Sequence, residues 1–451
     1  MNVLFIHQNF PGQYWHLAQY LSSKGHKVMG LGCAPNIKAR GVMPGITTVG
    51  YPSPDGAGDQ THHYLQSVEA GVRRGQAVAR CLLDMKTKGY RPDVISVHPG
   101  WGEALFLRDV FPNVPILMFC EFYFRAEQAD QGFDPEFAQT PDWSISVRMR
   151  NTTQIMSLLT SSARISPSRW QASRYPDFVR ERMHIIPDGV HTEYMSPDPG
   201  ETLLVQPLRK KGESRVVEQG PEPLNPDELL QTPRSLEDEE PDGNPIVLSR
   251  KNKVVVFISR NLEPYRGYHI FLRTLPAIQE KHPDAHILII GNNEVSYSTL
   301  PAEGQSYKEK YLDEVRSQVD LSRIHFLGHV SYADLRSILR VASAHVYLTY
   351  PFVLSWSALE SMACGGLIIG SDTEPVREVI SNGNNGLLVN FFDTQALADT
   401  VDAVLQAPER FDSMRSNARS FVEQHFRLEP CLHRQALLLE ALANGFYPNP
   451  S

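Results

Sequence analysis

Few cysteines, no long apolar run and no excess of basic charge mark this chain, and each shortage removes a class of function. The 451 residues hold five cysteines, Cys33, Cys81, Cys120, Cys364 and Cys431, with no Cys-x-x-Cys pair. An odd, scattered set fits neither a disulfide frame nor a structural zinc site, and it fits a reducing compartment. No stretch approaches the ~20 apolar residues of a membrane span. The opening MNVLFIHQNF has too short an apolar run for a signal peptide and no charged n-region. Lys and Arg number 43 and Asp and Glu 51, a net charge of -8, so no global positive field exists to hold nucleic acid or an anionic membrane. No Gly-x-Gly-x-x-Gly follows a first strand, which counts against a dehydrogenase. No Asp-x-Asp pair on a loop is evident, and no metal site is expected. What remains is a cytoplasmic α/β protein of two or three domains.

Short apolar runs alternate with helical stretches along most of the chain. Val3 to Ile6 reads as a strand, the loop HQNFPGQYW follows, and Trp15 to Ser23 reads as a helix. Further strands are expected at Asp93 to Val97, Pro115 to Phe119, Ala163 to Ile165 and His184 to Ile186, each closing on polar, Gly or Pro residues. Strand–helix–strand units build parallel sheets, whose carboxyl ends form the ligand crevice. From Ser196 to Lys253 the chain turns Pro-rich and acidic, and this stretch is expected to be a mostly irregular linker or insertion. The α/β pattern restarts with the β-branched run at Val254, typical of a strand covered on both faces. A helix over Tyr268 to Lys281, strands HILIIG and IHFLG, a helix over Ala333 to Ala342, strand HVYLTY, a helix over Ser357 to Cys364, strand GLIIGSD and a hairpin-like GNNGLLVN follow. Thr394 to His425 reads as helical. The expected domains are 1–195, an insertion at 196–253, 254–425, and a tail at 426–451 that packs back on the first.

Three stretches carry chemistry. In RNLEPYRGYH, Arg260 closes the strongest strand and Arg266 follows in a loop ended by Gly267. Two permanently charged planar guanidiniums at the mouth of a sheet suit a diphosphate; an isolated pair would read as solvated loop arginines. In YPFVLSWSALESMACGG, a helix starting near Ser355 would leave the amides of Ser355, Trp356 and Ser357 unpaired, an anion site. Glu360, one turn in, could accept two ribose hydroxyls. Ser357 and Glu360 also have capping-box spacing, and the carboxylate can serve both. In HQNFPGQYW, Gly12 permits close backbone approach, and Phe10, Tyr14 and Trp15 offer rings for a sugar, although Trp15 reads rather as core. Gly291 closes the second strand of the second half. For Asp372 and Glu374 in SDTEP, Asp372 is expected to be a helix N-cap. Cys120 reads as a packed thiol.

Together these stretches resemble glycosyltransferase family 4, the retaining, metal-independent, nucleotide-sugar-dependent enzymes of GT-B fold. The resemblance covers nearly the whole chain outside the acidic insertion. IIPDGVHTEYMSP, with Pro187, Asp188, Gly189 and Val190, resembles the segment closing the family's first domain. FISRNLEPYRG resembles its Gly-Arg-x4-Lys-Gly phosphate segment, with Arg266 in place of the Lys. SALESMACGGLIIGSDTEPVREVISNGNNGLLV resembles its donor-site block, and HPGWGE, from His98, its strand end facing the cleft. Two positions depart. The family's Glu-x7-Glu motif puts a Glu eight residues before Glu360, where Phe352 stands. Where many members carry a His at the end of the fifth strand, Glu121 stands.

The resemblance implies two Rossmann-like, doubly wound domains facing a central cleft. It implies transfer of a glycosyl group from a UDP-, GDP- or ADP-sugar, with no cofactor beyond that donor, to a glycan, lipid-linked or small-molecule acceptor. Arg260, Arg266 and the helix start at Ser355–Ser357 would face the leaving diphosphate, Glu360 the ribose, and His98 and Glu121 the sugar and acceptor. For His98 the plainer reading is a strand-end ring bonded to a backbone carbonyl, and for Glu121 an ion pair with Arg125. Other open readings are a nucleotide-sugar 2-epimerase-like enzyme and a catalytically weak nucleotide-sugar-binding subunit. Arg148, Arg150, Arg164, Arg169, Arg174, Arg180 and Arg182 concentrate the basic charge, which suits either peripheral contact with an inner membrane face or solvated helix faces.

Overall fold

A computed structural model describes residues 1–450 except 42, 127–129, 138–140, 209–212, 217–241, 243 and 302–303. It divides into two compact units among the described residues, Met1–Gly189 with Leu428 onward, and Val190–Arg427.

The first unit is built on seven parallel strands: β1 (Asn2–Ile6), β2 (Lys27–Cys33), β3 (Thr47–Tyr51), β4 (Val94–Val97), β5 (Ile116–Phe119), β6 (Ala163–Ser166) and β7 (Met183–Ile185). Their order is β3-β2-β1-β4-β5-β6-β7. Side chains alternate across a strand, so Val3 and Phe5 enter one apolar cluster and Leu4 and Ile6 the other. Both faces are therefore buried, which is why these strands read as unbroken apolar runs. Helix Leu428–Ala443 supplies Leu432, Leu438, Leu439 and Leu442 to the first cluster, each worth about 1.5–3 kcal/mol when fully buried. The chain order reverses at β1 and β4, and their carboxyl ends form this unit's switch point.

The second unit holds two sheets. Three antiparallel strands, β8 (Thr202–Pro207), β9 (Ser214–Val216) and β10 (Ile246–Ser249), pair in the order β10-β8-β9. This corrects the expectation of a mostly irregular insertion; its stretch at 217–241 lies outside the described residues. Leu203, Val205 and Leu248 pack with Val254, Val256 and Leu288, so these strands spend apolar residues on the neighbouring sheet. That sheet has six parallel strands, β11 (Val254–Asn261), β12 (His286–Asn292), β13 (Ile324–Gly328), β14 (Ala344–Tyr347), β15 (Ile368–Ser371) and β16 (Leu387–Val389), ordered β13-β12-β11-β14-β15-β16. Glu213 pairs with Phe326 beside β13, which covers a sheet edge that would otherwise offer unpaired backbone groups. The GNNGLLVN segment is no hairpin: Leu387–Val389 runs parallel to β15. The switch point of this sheet lies between β11 and β14.

Candidate functional site

Each unit brings predicted residues to its own switch point. In the first, His7 follows β1 and His98 follows β4, and the register Ile6↔Val97 sets them side by side. Both rings use Nδ1 to accept a backbone amide two residues on: Asn9 N–H donates to His7 at 2.9 Å, and Gly100 N–H to His98 at 3.1 Å. A neutral imidazole carries one proton, so His98 holds it on Nε2. That nitrogen lies 3.1 Å from Glu121 Oε2. The His98 side chain is 6% exposed and that of Glu121 41%; the carboxylate thus lies at the surface and the ring behind it is buried. Trp101 stacks on His98 with centroids 4.0 Å apart and planes at 19°, and His7 meets Trp101 edge-on at 5.0 Å.

Gly12 belongs here because its φ of +49° suits glycine and a Cβ would come 2.8 Å from the His7 ring. The aromatics of its loop do not serve as a sugar platform: Phe10, Tyr14 and Trp15 are buried in the core. The expected Glu121–Arg125 ion pair is not among the contacts found, since Arg125 Nε donates to the Arg174 carbonyl at 2.7 Å and Glu121 faces His98. Cys120 is a packed thiol, pushed up to about 12 by burial. The arginine cluster disperses: Arg164 and Arg174 are buried, Arg164 bonding the carbonyls of Leu158, Phe178 and Val179, and Arg180 pairs with Asp177.

In the second unit, Arg260 ends β11 exposed, and no hydrogen bond or ion pair engages it among the described residues. Arg266 is placed differently. Its Nη1 donates to Thr349 Oγ1 at 2.8 Å, the Val353 carbonyl at 2.9 Å and Tyr347 Oη at 3.4 Å. Its guanidinium carbon lies 5.4 Å from the centroid of Phe352. Phe352 is buried among Tyr265 and Tyr297, at 5.3 and 4.8 Å. Where the family motif has a carboxylate, this chain supports the cation with a ring.

Helix Trp356–Ala363 starts from Ser355 in extended backbone. The Ser355 amide, expected from sequence to be unpaired, instead donates to Tyr347 Oη at 2.7 Å. The amides of Trp356 and Ser357 remain without an acceptor among the described residues. The capping box does not form: Ser355 is the N-cap and makes no side-chain cap bond, and Ser355 Oγ lies 2.9 Å from Ser357 Oγ. Glu360 is buried and accepts from Tyr332 Oη at 2.9 Å, with Tyr332 stacked on Tyr194 at 5.4 Å. Arg266, Ser355 and Val353 thus meet around Tyr347 Oη, with Glu360 one turn along the helix. Gly291 lies beside β11, where a Cβ would come 2.7 Å from the Ser259 carbonyl. Asp372 is not an N-cap; that residue is Thr373. Asp372 instead makes a two-pronged ion pair with Arg377 at 2.6 and 2.8 Å, which holds its carboxyl below the usual range.

Sequence reasoning missed His7, Trp101, Tyr332 and Tyr347. The first had a signal: a His directly after an apolar strand occurs twice, in FIHQN and SVHPG, on strands that prove adjacent.

Residues 24–195 match the model of the glycosyl transferase family 4 group, and residues 241–421 that of glycosyl transferases group 1. A phosphatidyl-myo-inositol mannosyltransferase of Mycolicibacterium smegmatis is 30% identical over 174 residues, 37% of this chain and 38% of that protein. The matched part is thus under two-fifths of that relative's length. Among solved structures, a sucrose-phosphate synthase from Thermosynechococcus elongatus superposes with a TM-score of 0.67 at 15% identity over 99% of this chain and 100% of that one. The Anabaena HepE protein, solved with UDP and glucose, gives 0.62 at 16% identity, over 98% of this chain and 100% of that one. With two doubly wound units, both halves matched by family models and neighbours of the same architecture, the chain belongs to glycosyltransferase family 4 and has the GT-B fold.

Proposed function

We propose that this chain transfers a hexosyl group from a nucleoside-diphosphate sugar to a hydroxyl of a glycan, lipid-linked or small-molecule acceptor, with retention and without a metal ion. The observation that carries the reading is the pairing of an unengaged, exposed Arg260 with a helix start whose Trp356 and Ser357 amides lack acceptors, both at the switch point of the second sheet. As the glycosidic bond breaks, negative charge gathers on the leaving diphosphate, and fixed donors aimed at that charge supply the largest catalytic share. Arg260 meets the phosphates directly. Arg266 holds the 347–353 loop in place with one nitrogen and presents the rest of its charge to the same site. Glu360, oriented by Tyr332, binds the ribose. Gly291, with no Cβ, lets the end of β12 close up against Ser259 of β11 beside the nucleotide site, and Phe352 shapes the sugar end.

In the first unit, Glu121 would hold a sugar or acceptor hydroxyl, with His98 donating to it. Gly12 lets the backbone turn tightly against the His7 ring beside that site. The UDP in the HepE structure supports a nucleotide-sugar donor, and the mannosyltransferase among the curated relatives supports transfer of a hexosyl group. Cytoplasmic location is part of the same reading; among the described residues no helix is long and apolar enough to cross a membrane. A second reading, a nucleotide-sugar-binding subunit of weak activity, draws on Phe352, which puts a buried ring where the family's first motif carboxylate would be. Release of nucleoside diphosphate from a panel of nucleotide sugars decides between them. The enzyme reading expects turnover by the purified chain, lost in Arg260→Ala and resistant to EDTA. No turnover of any donor, with nucleotide binding intact, favours the binding subunit.

A further inference from the structure

We propose that Arg74, Glu103 and Tyr51 form a positioning lock that fixes the ring and tautomer of His98 through the loop at 99–106. The inference rests on the reading of His98 and Glu121 as the ligand-facing pair of the first unit.

Glu103 is the costliest group near that pair. It is 1% exposed, and a buried carboxylate survives only with compensating partners. Tyr51 Oη donates to its Oε1 at 3.0 Å, and Arg74 Nε lies 3.9 Å from the same oxygen. Oε2 has no hydrogen-bond partner among the described residues. Burial pushes the Glu103 carboxyl up, and Arg74 pulls it back down. None of these three residues reaches Glu121. What they do reach is the loop: Arg74 Nη1 donates to the Trp101 carbonyl at 2.6 Å. One guanidinium therefore ties the backbone of Trp101 to the carboxylate two residues later.

The loop lies directly on the helix Gln66–Thr87. Gly102 has φ +106°, and a Cβ there would come 2.1 Å from the Gly71 carbonyl, while one on Gly75 would come 2.7 Å from the Gly102 carbonyl. With the backbone clamped from below, two restraints act on His98 from above. The Trp101 indole covers the ring face, and the Gly100 amide occupies Nδ1. That amide excludes a proton from Nδ1 and so assigns it to Nε2, facing Glu121. If the loop slackens, Nδ1 can take the proton, Nε2 becomes an acceptor, and it then faces the carboxylate as one acceptor against another. Outer partners that set a histidine's tautomer act in this way.

The test uses the full chain labelled with 15N in its histidine rings. The His98 signal is identified by its loss in His98→Gln. Arg74→Gln is expected to move His98 from a single Nε2–H form to a mixture of tautomers. Turnover should fall by up to about 10²-fold in kcat, with the affinity for the free nucleoside diphosphate unchanged, since the groups proposed for the diphosphate and ribose lie in the other unit. Arg74→Lys, which keeps the charge and one donor, should recover part of both. A folded Arg74→Gln whose His98 keeps the wild-type ring signature overturns the lock, whatever its turnover. Should Arg74→Gln fail to fold, Tyr51→Phe carries the same readout and the same expectation. If the wild type turns over no donor, the function reading falls, and the ring signature still decides the lock.

Discussion

Arg260 and Arg266 stand six residues apart, yet their removal should read differently. No side-chain hydrogen bond or ion pair engages Arg260 among the described residues, so Arg260→Ala should leave the melting temperature unchanged and lower turnover by about 10²–10³. Arg266 Nη1 holds three acceptors on the 347–353 loop. Arg266→Ala should therefore cost about 1–3 kcal/mol of stability as well as activity, because orphaned partners pay a desolvation penalty. Melting curves beside donor turnover separate the two. A second residue-scale prediction concerns His345, which is fully buried in β14 with neither ring nitrogen bonded among the described residues. Burial lowers it to about 3 from an ordinary 6.5. The unfolded chain therefore takes up the proton first as pH falls. The stability tied to the neutral ring is complete above about 6.5 and is lost from there towards 3, at about 1.4 kcal/mol per pH unit. His325, also lowered to about 3 by burial and by His286 and Arg323, adds the same slope. His345→Leu should flatten the acid limb of melting temperature against pH by one proton's share, and an unchanged limb would refute this.

At the scale of elements, the second unit was the more legible. Its strands are runs such as VVVFIS and HILIIG, buried on both faces and so apolar throughout, and Tyr268–Lys281 is a helix over the expected span. The 22-residue helix Gln66–Thr87 went unseen for a physical reason. Gly71 and Gly75 occupy positions where apolar side chains would have signalled a buried face, because the space at Gly71 is taken by the Thr153 side chain and that at Gly75 by the Gly102 carbonyl and the Phe106 ring. The strands of the insertion were masked by the Pro-rich, acidic residues around them. The capping box misled because Ser-x-x-Glu spacing does not say which Ser begins the helix; Ser355 does, two residues early. Gly102→Ala should test the loop seat: a φ of +106° and a 2.1 Å approach to Gly71 predict a loss of about 1–3 kcal/mol, read by denaturant unfolding. An unaltered midpoint would mean that the loop can lift from the helix without penalty.

For the whole molecule, chain order and structural unit disagree among the described residues at the last helix, Leu428–Ala443, which belongs with the first unit. A chain ended at residue 427 would strip four leucines from that core, and is expected to lose cooperative unfolding of the first unit while the second keeps its nucleotide response. Circular dichroism melts of the truncated chain check this. On the function proposed above, the diphosphate and ribose end was readable as a family pattern because those groups impose fixed chemistry on any sequence that holds them, and the sugar end was not, because Phe352 and Glu121 replace the family's residues with others whose neighbours only the fold reveals. The central claim is that the second unit binds a nucleoside diphosphate through Arg260, the Trp356 helix start and Glu360. A thermal-shift series with UDP, GDP and ADP on the wild type and Glu360→Ala tests it most directly. A ligand at a hundred times its Kd should add about 2.7 kcal/mol, so one nucleotide should raise the wild-type melting temperature and do so far less in Glu360→Ala. No rise with any of the three, or an equal rise in Glu360→Ala, would contradict it.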